Sequence, residues 1–167
     1  MNNDKNDRNA GPNGQAGATA PHPIPTSDDS LYALVGSEAG LRRLVETFYD
    51  IVEFEPEGRI LLTLHLRGHG VAHSRIEQFD FLSGFLGGPK FYIERHGHSD
   101  VRYMHEHVEI AAEARDAWLN CMSVAIDRAG LSADVKMRLM EHFTRVATVL
   151  HEAGVAKRRS LGVSASG

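Results

Sequence analysis

Positive charge, cysteine, tryptophan and long apolar runs are all scarce in this chain. Its 167 residues hold 18 Lys and Arg against 22 Asp and Glu, a formal charge of −4. Such a balance offers no electrostatic footprint for nucleic acid, which requires a concentrated basic face. The single cysteine, Cys121, excludes an intrachain disulfide framework and any zinc or iron–sulfur centre built on several thiolates. No apolar stretch approaches the roughly 18 residues that a membrane span needs, so no membrane partner is expected. No basic-then-apolar leader opens the sequence, and the expected compartment is the reducing cytoplasm. What remains is ordinary globular composition, 42% hydrophobic and 24% charged, at a length that fits one domain. Histidine alone is in surplus. There are 10, against about 4 for a background of roughly 2%.

Residues 1–27 are rich in Asn, Gly, Ala, Pro and Asp and lack apolar periodicity. Such a segment buries too little surface to offset its ordering entropy, so a disordered tail is expected. Residues 157–167 read the same way, leaving a folded domain at 28–156. Its dominant period is helical. Leu41, Leu44, Val45, Phe48 and Val52 follow one helix face, with Ser37 as the expected N-cap. Val71, Ile76, Phe79, Leu82 and Leu86 lie in a second helical span that ends at Gly87-Gly88-Pro89. Trp118, Cys121, Met122, Ala125, Ile126 and Ala129 form a third stripe, stopped by Gly130. Ser132 opens a fourth helix carrying Val135, Leu139, Phe143, Val146, Val149 and Leu150. Shorter helical pieces are expected at 57–64 and 101–107. Residues 60–66 and 90–94 are the only strand-like stretches, and neither alternates cleanly. The fold class is all-α. Residues 87–101 read as one long loop, and loops of that length inside compact domains are usually functional.

Three histidine groupings invite chemistry. His65, His69 and His73 recur every four residues, which on a continuous helix would put them on one face. Gly68 and Gly70 flank His69, however, and favour a loop between helices there. His96-Gly97-His98 sits in a turn whose close carboxylates are Glu94 and Asp100 alone, so a solvated turn is the plainer account. His105 and His107 follow the long loop and precede Trp118. Tyr49, Phe79, Phe81, Phe85 and Trp118 supply aromatic surface on the other helices, which is equally compatible with plain core. A histidine delivered by a loop between apolar helices is also the layout of a haem pocket.

A set of words in fixed order goes further: Phe48-Tyr49, then Phe81-Leu82-Ser83-Gly84-Phe85-Leu86-Gly87-Gly88-Pro89, Tyr92, Gly97-His98, His105, and Arg115-Asp116-Ala117-Trp118-Leu119-Asn120-Cys121-Met122. Together they resemble the group II (O-type) truncated haemoglobins, two-over-two globins, over residues 31–153. The resemblance implies a two-over-two helical sandwich around haem b. His105 matches the proximal ligand of the iron, 13 residues before Trp118. Trp118 matches the tryptophan whose indole N–H faces the bound ligand, and Tyr49 the distal tyrosine. Ser74 and Gln78 fall at the two distal positions of the helix before Gly-Gly-Pro, and His65 near the position over the distal pocket. Phe81, Leu82, Phe85 and Tyr92 match porphyrin contacts, with Tyr92 near the propionates. The pattern also departs from the family. Met104 stands where relatives usually carry a basic residue, His107 where they carry proline, and Ser99 where proline often follows Gly-His. Arg102 or His98 is then the expected replacement cation at a propionate.

The chemistry of those residue types agrees with the resemblance. Neutral imidazole gives one nitrogen to iron while its other N–H fixes the ring on an acceptor. A Tyr hydroxyl, a Trp indole and a Gln amide are donors for a ligand that gains negative charge on binding. Reversible binding of dioxygen and other diatomics is the expected function, with possible detoxification of reactive oxygen or nitrogen species. No residue is assigned a catalytic role. An enzymatic version, nitric oxide dioxygenation or peroxidase turnover, would need an external electron donor. A haem-based sensor would need an output domain, and a histidine-rich zinc protein is the haem-free alternative. A monomer or a homodimer fits the sequence equally well.

Overall fold

The computed structural model describes residues 29–160 and residue 162. The expected tail at 1–27 lies outside the described residues. The described elements are α1 (Leu31–Leu34), α2 (Ser37–Phe54), a 3₁₀ turn (Pro56–Gly58), α3 (Arg59–Arg67), α4 (Val71–Phe85), α5 (Phe91–His96), α6 (Val101–Met104), α7 (Ala112–Arg128) and α8 (Ala133–Ser160). No strand occurs among the described residues. Helix α2 packs on α4 and α7, and α7 packs on α8, so the pairs α2–α4 and α7–α8 meet through α2 and α7. The stripes read from the sequence meet between them. Leu41, Leu44, Phe48 and Val52 of α2 lie against Leu82 of α4, Cys121, Met122, Ala125 and Ile126 of α7, and Leu139 and Phe143 of α8.

Local chemistry accounts for most boundaries. The Ser132 hydroxyl accepts from the Val135 N–H at 3.3 Å and caps α8. Gly97 and Gly130 end α5 and α7 at positive φ, 76° and 74°, the left-handed region in which glycine is unstrained. Asp100 caps α6 by accepting from the Arg102 and Tyr103 N–H groups.

Three expectations need correction. Ser37 is not the N-cap of α2: Gly36 takes that place at φ 102°, and Ser37 is the first helical residue, itself at φ 56°. The tight link from α1 forces this, because Gly36 must turn the chain while its carbonyl accepts from Gly40 at 3.0 Å. The stretch 87–101 is not one loop. Its glycines and Pro89 sit at the two ends, and between them Tyr92 is buried and Phe91 stacks on Phe79, which stabilises α5. The helical piece expected at 57–64, by contrast, is present as α3 at Arg59–Arg67. The boundary expected after Ala156 falls inside α8. There Lys157 donates to the Glu106 carbonyl at 2.9 Å, and Arg158 pairs with Glu109 at 2.8 Å.

Candidate functional site

Helices α2, α3 and α4 converge on a polar cluster at the edge of the apolar core. Tyr49, on the inner face of α2, is 2% exposed, and burial pushes its phenol far above the usual range. Its hydroxyl donates to Gln78 Oε1 at 3.1 Å and lies 3.4 Å from His65 Nε2. His65 Nδ1 is 2.7 Å from the Leu61 carbonyl. A carbonyl only accepts, so Nδ1 carries the proton and Nε2 is an acceptor. One tyrosine proton therefore faces two acceptors, and the shorter bond goes to Gln78. The Gln78 amide is left with its Nε2 buried and unpartnered, the only such side-chain atom among the described residues. A buried N–H without an acceptor is costly and uncommon in a native interior. Ser74 lies beside the Tyr49 phenol, but its hydroxyl proton is already given to the Gly70 carbonyl at 2.9 Å.

His105 lies near this cluster, close enough to His65 for that ring to act on its charge. Its Nδ1 donates to the Val101 carbonyl at 2.8 Å, one turn back in α6. The tautomer is thereby fixed, and the Nε2 lone pair is the ligating atom on offer. Burial holds its pKa below the ordinary histidine value, with His107 and His65 acting the same way and the Val101 bond opposing. Neutral imidazole, the form that coordinates a metal, is the favoured form.

Aromatic side chains form the walls. Trp118 lies between Phe48, at 5.5 Å, and Phe143, at 5.4 Å, and the Phe48 ring stands edge-on to Tyr49 at 5.0 Å. Phe81 and Phe85 stack at 5.6 Å, with Tyr92 edge-on to Phe81 at 6.0 Å, while Leu82 points into the core at 3% exposure. Phe81, Phe85 and Tyr92 line an open crevice together with Lys90 and Ser99. Lys90 was not singled out from the sequence, although its place directly after Gly-Gly-Pro was available as a signal. His98 is edge-on to Tyr92 at 6.0 Å and to Tyr103 at 5.0 Å. Arg102 lines a different cavity, with His105 and Lys157. The structure thus brings Tyr49, His65, Ser74 and Gln78 together, places His105 near His65, and sets Arg102 apart from the Tyr92 crevice.

The other histidine groupings separate. His65 joins the polar cluster, whereas His69 lies between α3 and α4 with its ring 5.2 Å from His73 and 5.9 Å from His107. Among the described residues no three His, Cys, Asp or Glu side chains converge as a metal site. His96 pairs with Glu77 at 2.8 Å and packs on Tyr92.

Comparison with known proteins identifies the family. The family model for bacterial-like globins matches residues 30–152. Group 2 truncated hemoglobin YjbI of Bacillus subtilis is 36% identical over 110 residues, 66% of this chain and 79% of that protein. Among solved structures, the group II 2-on-2 hemoglobin of Agrobacterium tumefaciens superposes with a TM-score of 0.69 at 29% identity, covering 76% of this chain and 97% of that one. The truncated oxygen-avid haemoglobin of Bacillus subtilis gives a TM-score of 0.65 at 33% identity, over 73% of this chain and 98% of its own. Matched helices and the order of motifs converge on one conclusion: the chain belongs to the bacterial-like globin family, as a group II truncated haemoglobin.

Proposed function

We propose that this chain holds haem b through His105 Nε2 and binds dioxygen reversibly on the side lined by Tyr49, His65, Gln78 and Trp118. Membership of the globin family supplies the coarser statement, haem-based ligand binding. One observation carries the finer one: the buried Gln78 amide whose N–H has no partner, in a cluster whose His65 lies near an imidazole with a free lone pair. The donor set fits the group. Ferrous haem, when bound, supplies an open coordination position at which dioxygen gains negative charge.

This chain's own side chains do the rest. Gln78 offers its unpaired N–H to the ligand, and Trp118 adds an indole N–H from α7. Tyr49 keeps its proton at any ordinary pH and holds the Gln78 carbonyl oxygen, so the amide nitrogen is the end presented. Turning the amide over would give Tyr49 a donor and release its proton to His65, presenting an acceptor instead. A ligand carrying negative charge selects the first arrangement. Phe81, Phe85 and Tyr92 provide apolar contact for the macrocycle, with Leu82 behind them in the core, and His98 beside Tyr92 is the group proposed for a propionate.

Haem titration of the purified protein tests the first half, with a Soret band saturating at one equivalent expected. Stopped-flow dioxygen release tests the second. Removing one hydrogen bond to a charged acceptor costs about 1.5–3 kcal/mol, roughly 10- to 150-fold. Gln78→Leu and Trp118→Phe should each speed release within that range. Ser74→Ala should do less, since its proton is committed to Gly70. Rates within about twofold of one another, below the single-bond effect, would mean that the pocket retains ligand by shape alone.

A further inference from the structure

We propose that Arg75 is the positioning residue for the half of α4 that presents Ser74 and Gln78. What that half-helix faces is taken from the proposed function; the anchoring itself is independent of it. Val71 and Phe79 are each only 6% exposed, but none of residues 72–78 between them is buried. Two turns of helix therefore carry the ligand-facing side chains without a core residue of their own. Ile76, the large apolar side chain within that stretch, is 56% exposed. Core packing pins the ends of the segment and leaves its rotation against α2 to other forces.

Arg75 sits in the middle of it with a side chain that is 17% exposed. Its guanidinium donates to the carboxylates of Glu46, Asp50 (2.8 Å) and Glu53, and to the Glu46 carbonyl at 3.3 Å. Those three acids recur at i, i+4 and i+7 on α2, one face of that helix, and Tyr49 lies among them. The guanidinium also stands 5.6 Å from the centre of the Tyr49 ring, within cation–π range. A planar fork with five donors can hold several acceptors in one fixed geometry, which a lysine ammonium does not.

The Tyr49–Gln78 bond crosses the same α2–α4 seam, with Gln78 three residues, nearly one turn, beyond Arg75. A small rotation of residues 72–78 would lengthen that bond and turn the free amide N–H away from the ligand. The carboxylates are largely solvated, with Glu46 and Asp50 at 50% and 61% exposure, so the ion pairs add little to global stability. Their effect is local. Position is what they set.

Hydrogen exchange on the full chain separates this role from general stabilisation, with and without haem. In Arg75→Gln, amides of residues 74–78 should exchange about tenfold faster, while those of 82–86 stay within about twofold of wild type. Arg75→Lys should fall between the two. In the haem-loaded ferrous carbonyl complex, the C–O stretching band should shift or split in Arg75→Gln and partly recover in Arg75→Lys. An unchanged exchange pattern, a uniform acceleration along α4, an unaltered carbonyl band, or an Arg75→Gln chain that does not fold would each overturn the proposal. A protein that takes up no haem would sink the proposed function instead, and the exchange pattern would still decide the role of Arg75.

Discussion

His105 and His107 are two residues apart and differ in their surroundings. The Nδ1 proton of His105 is tied to Val101 and its side chain is half-buried, whereas His107 is exposed and lies near His69. His105→Ala should abolish stable haem uptake, with free imidazole restoring a Soret band, while His107→Ala should retain haem. Absorbance spectra of the two variants check this, and the opposite pattern would shift the ligand by two positions. Cys121 makes a different kind of residue-level statement. It is fully buried, and burial pushes its thiol from 9.0 to about 11. At pH 8 only about a thousandth of it is thiolate, so the folded protein should resist alkylation until denatured. The sign of the linkage follows from a folded pKa raised above the unfolded one. The folded state holds the proton more tightly, so the stability it contributes is intact below about pH 9 and is lost as pH rises toward 11. Denaturation midpoints from pH 8 to 11 should fall more steeply in wild type than in Cys121→Ala, and parallel curves would refute the assignment.

Between elements, two glycines do work that no periodicity reveals. A Cβ on Gly58 would stand 2.3 Å from the Val52 Cα and 2.5 Å from the Ile51 carbonyl oxygen, so the 3₁₀ turn is pressed onto the α2 backbone. Backbone cannot swing aside as a side chain can. Gly58→Ala should cost about 3 kcal/mol or more in chemical denaturation, at the upper end of overpacking effects. Gly70, which begins α4 at φ 86°, has open space around its would-be Cβ. Gly70→Ala should cost only the backbone strain of positive φ with extended ψ, about 1–3 kcal/mol. Sequence reading picked out Gly70 by its neighbour Gly68 and passed over Gly58, because a close approach between helices leaves no trace in neighbouring residues. The reverse holds for Ser132, where the capping hydroxyl and the N–H it serves are three residues apart and therefore legible. Helix α5 was hidden for a related reason. Glycine and proline at its ends outweighed six residues whose helicity depends on burying Tyr92 and stacking Phe91 on Phe79.

At the scale of the molecule, the last turn of α8 returns to the segment that follows His105. Lys157 bonds the Glu106 carbonyl and Arg158 pairs with Glu109. A chain covering residues 28–160 should match full length in thermal stability and in the rate of haem transfer to a scavenger globin. One ending at residue 156 should release haem severalfold faster, consistent with losing two exposed contacts worth about 0.2–1 kcal/mol each. Equal rates would show that the tie is incidental.

The all-α class, the four long apolar stripes, several helix ends and the ordered motif words were all determined by sequence alone. These features depend on residues within a turn or two of each other, or on a family pattern written along the chain. Tertiary structure alone decided the rest. It set His65 against Tyr49 across 16 positions and gave Arg75 three carboxylates 22 to 29 positions away. It also left one Gln78 nitrogen buried and unpaired. A hydrogen bond at 3 Å tolerates little error in distance, whereas an apolar stripe tolerates a great deal. The broad pattern survives translation into one dimension, and the fine geometry of the site exists only once the helices have packed.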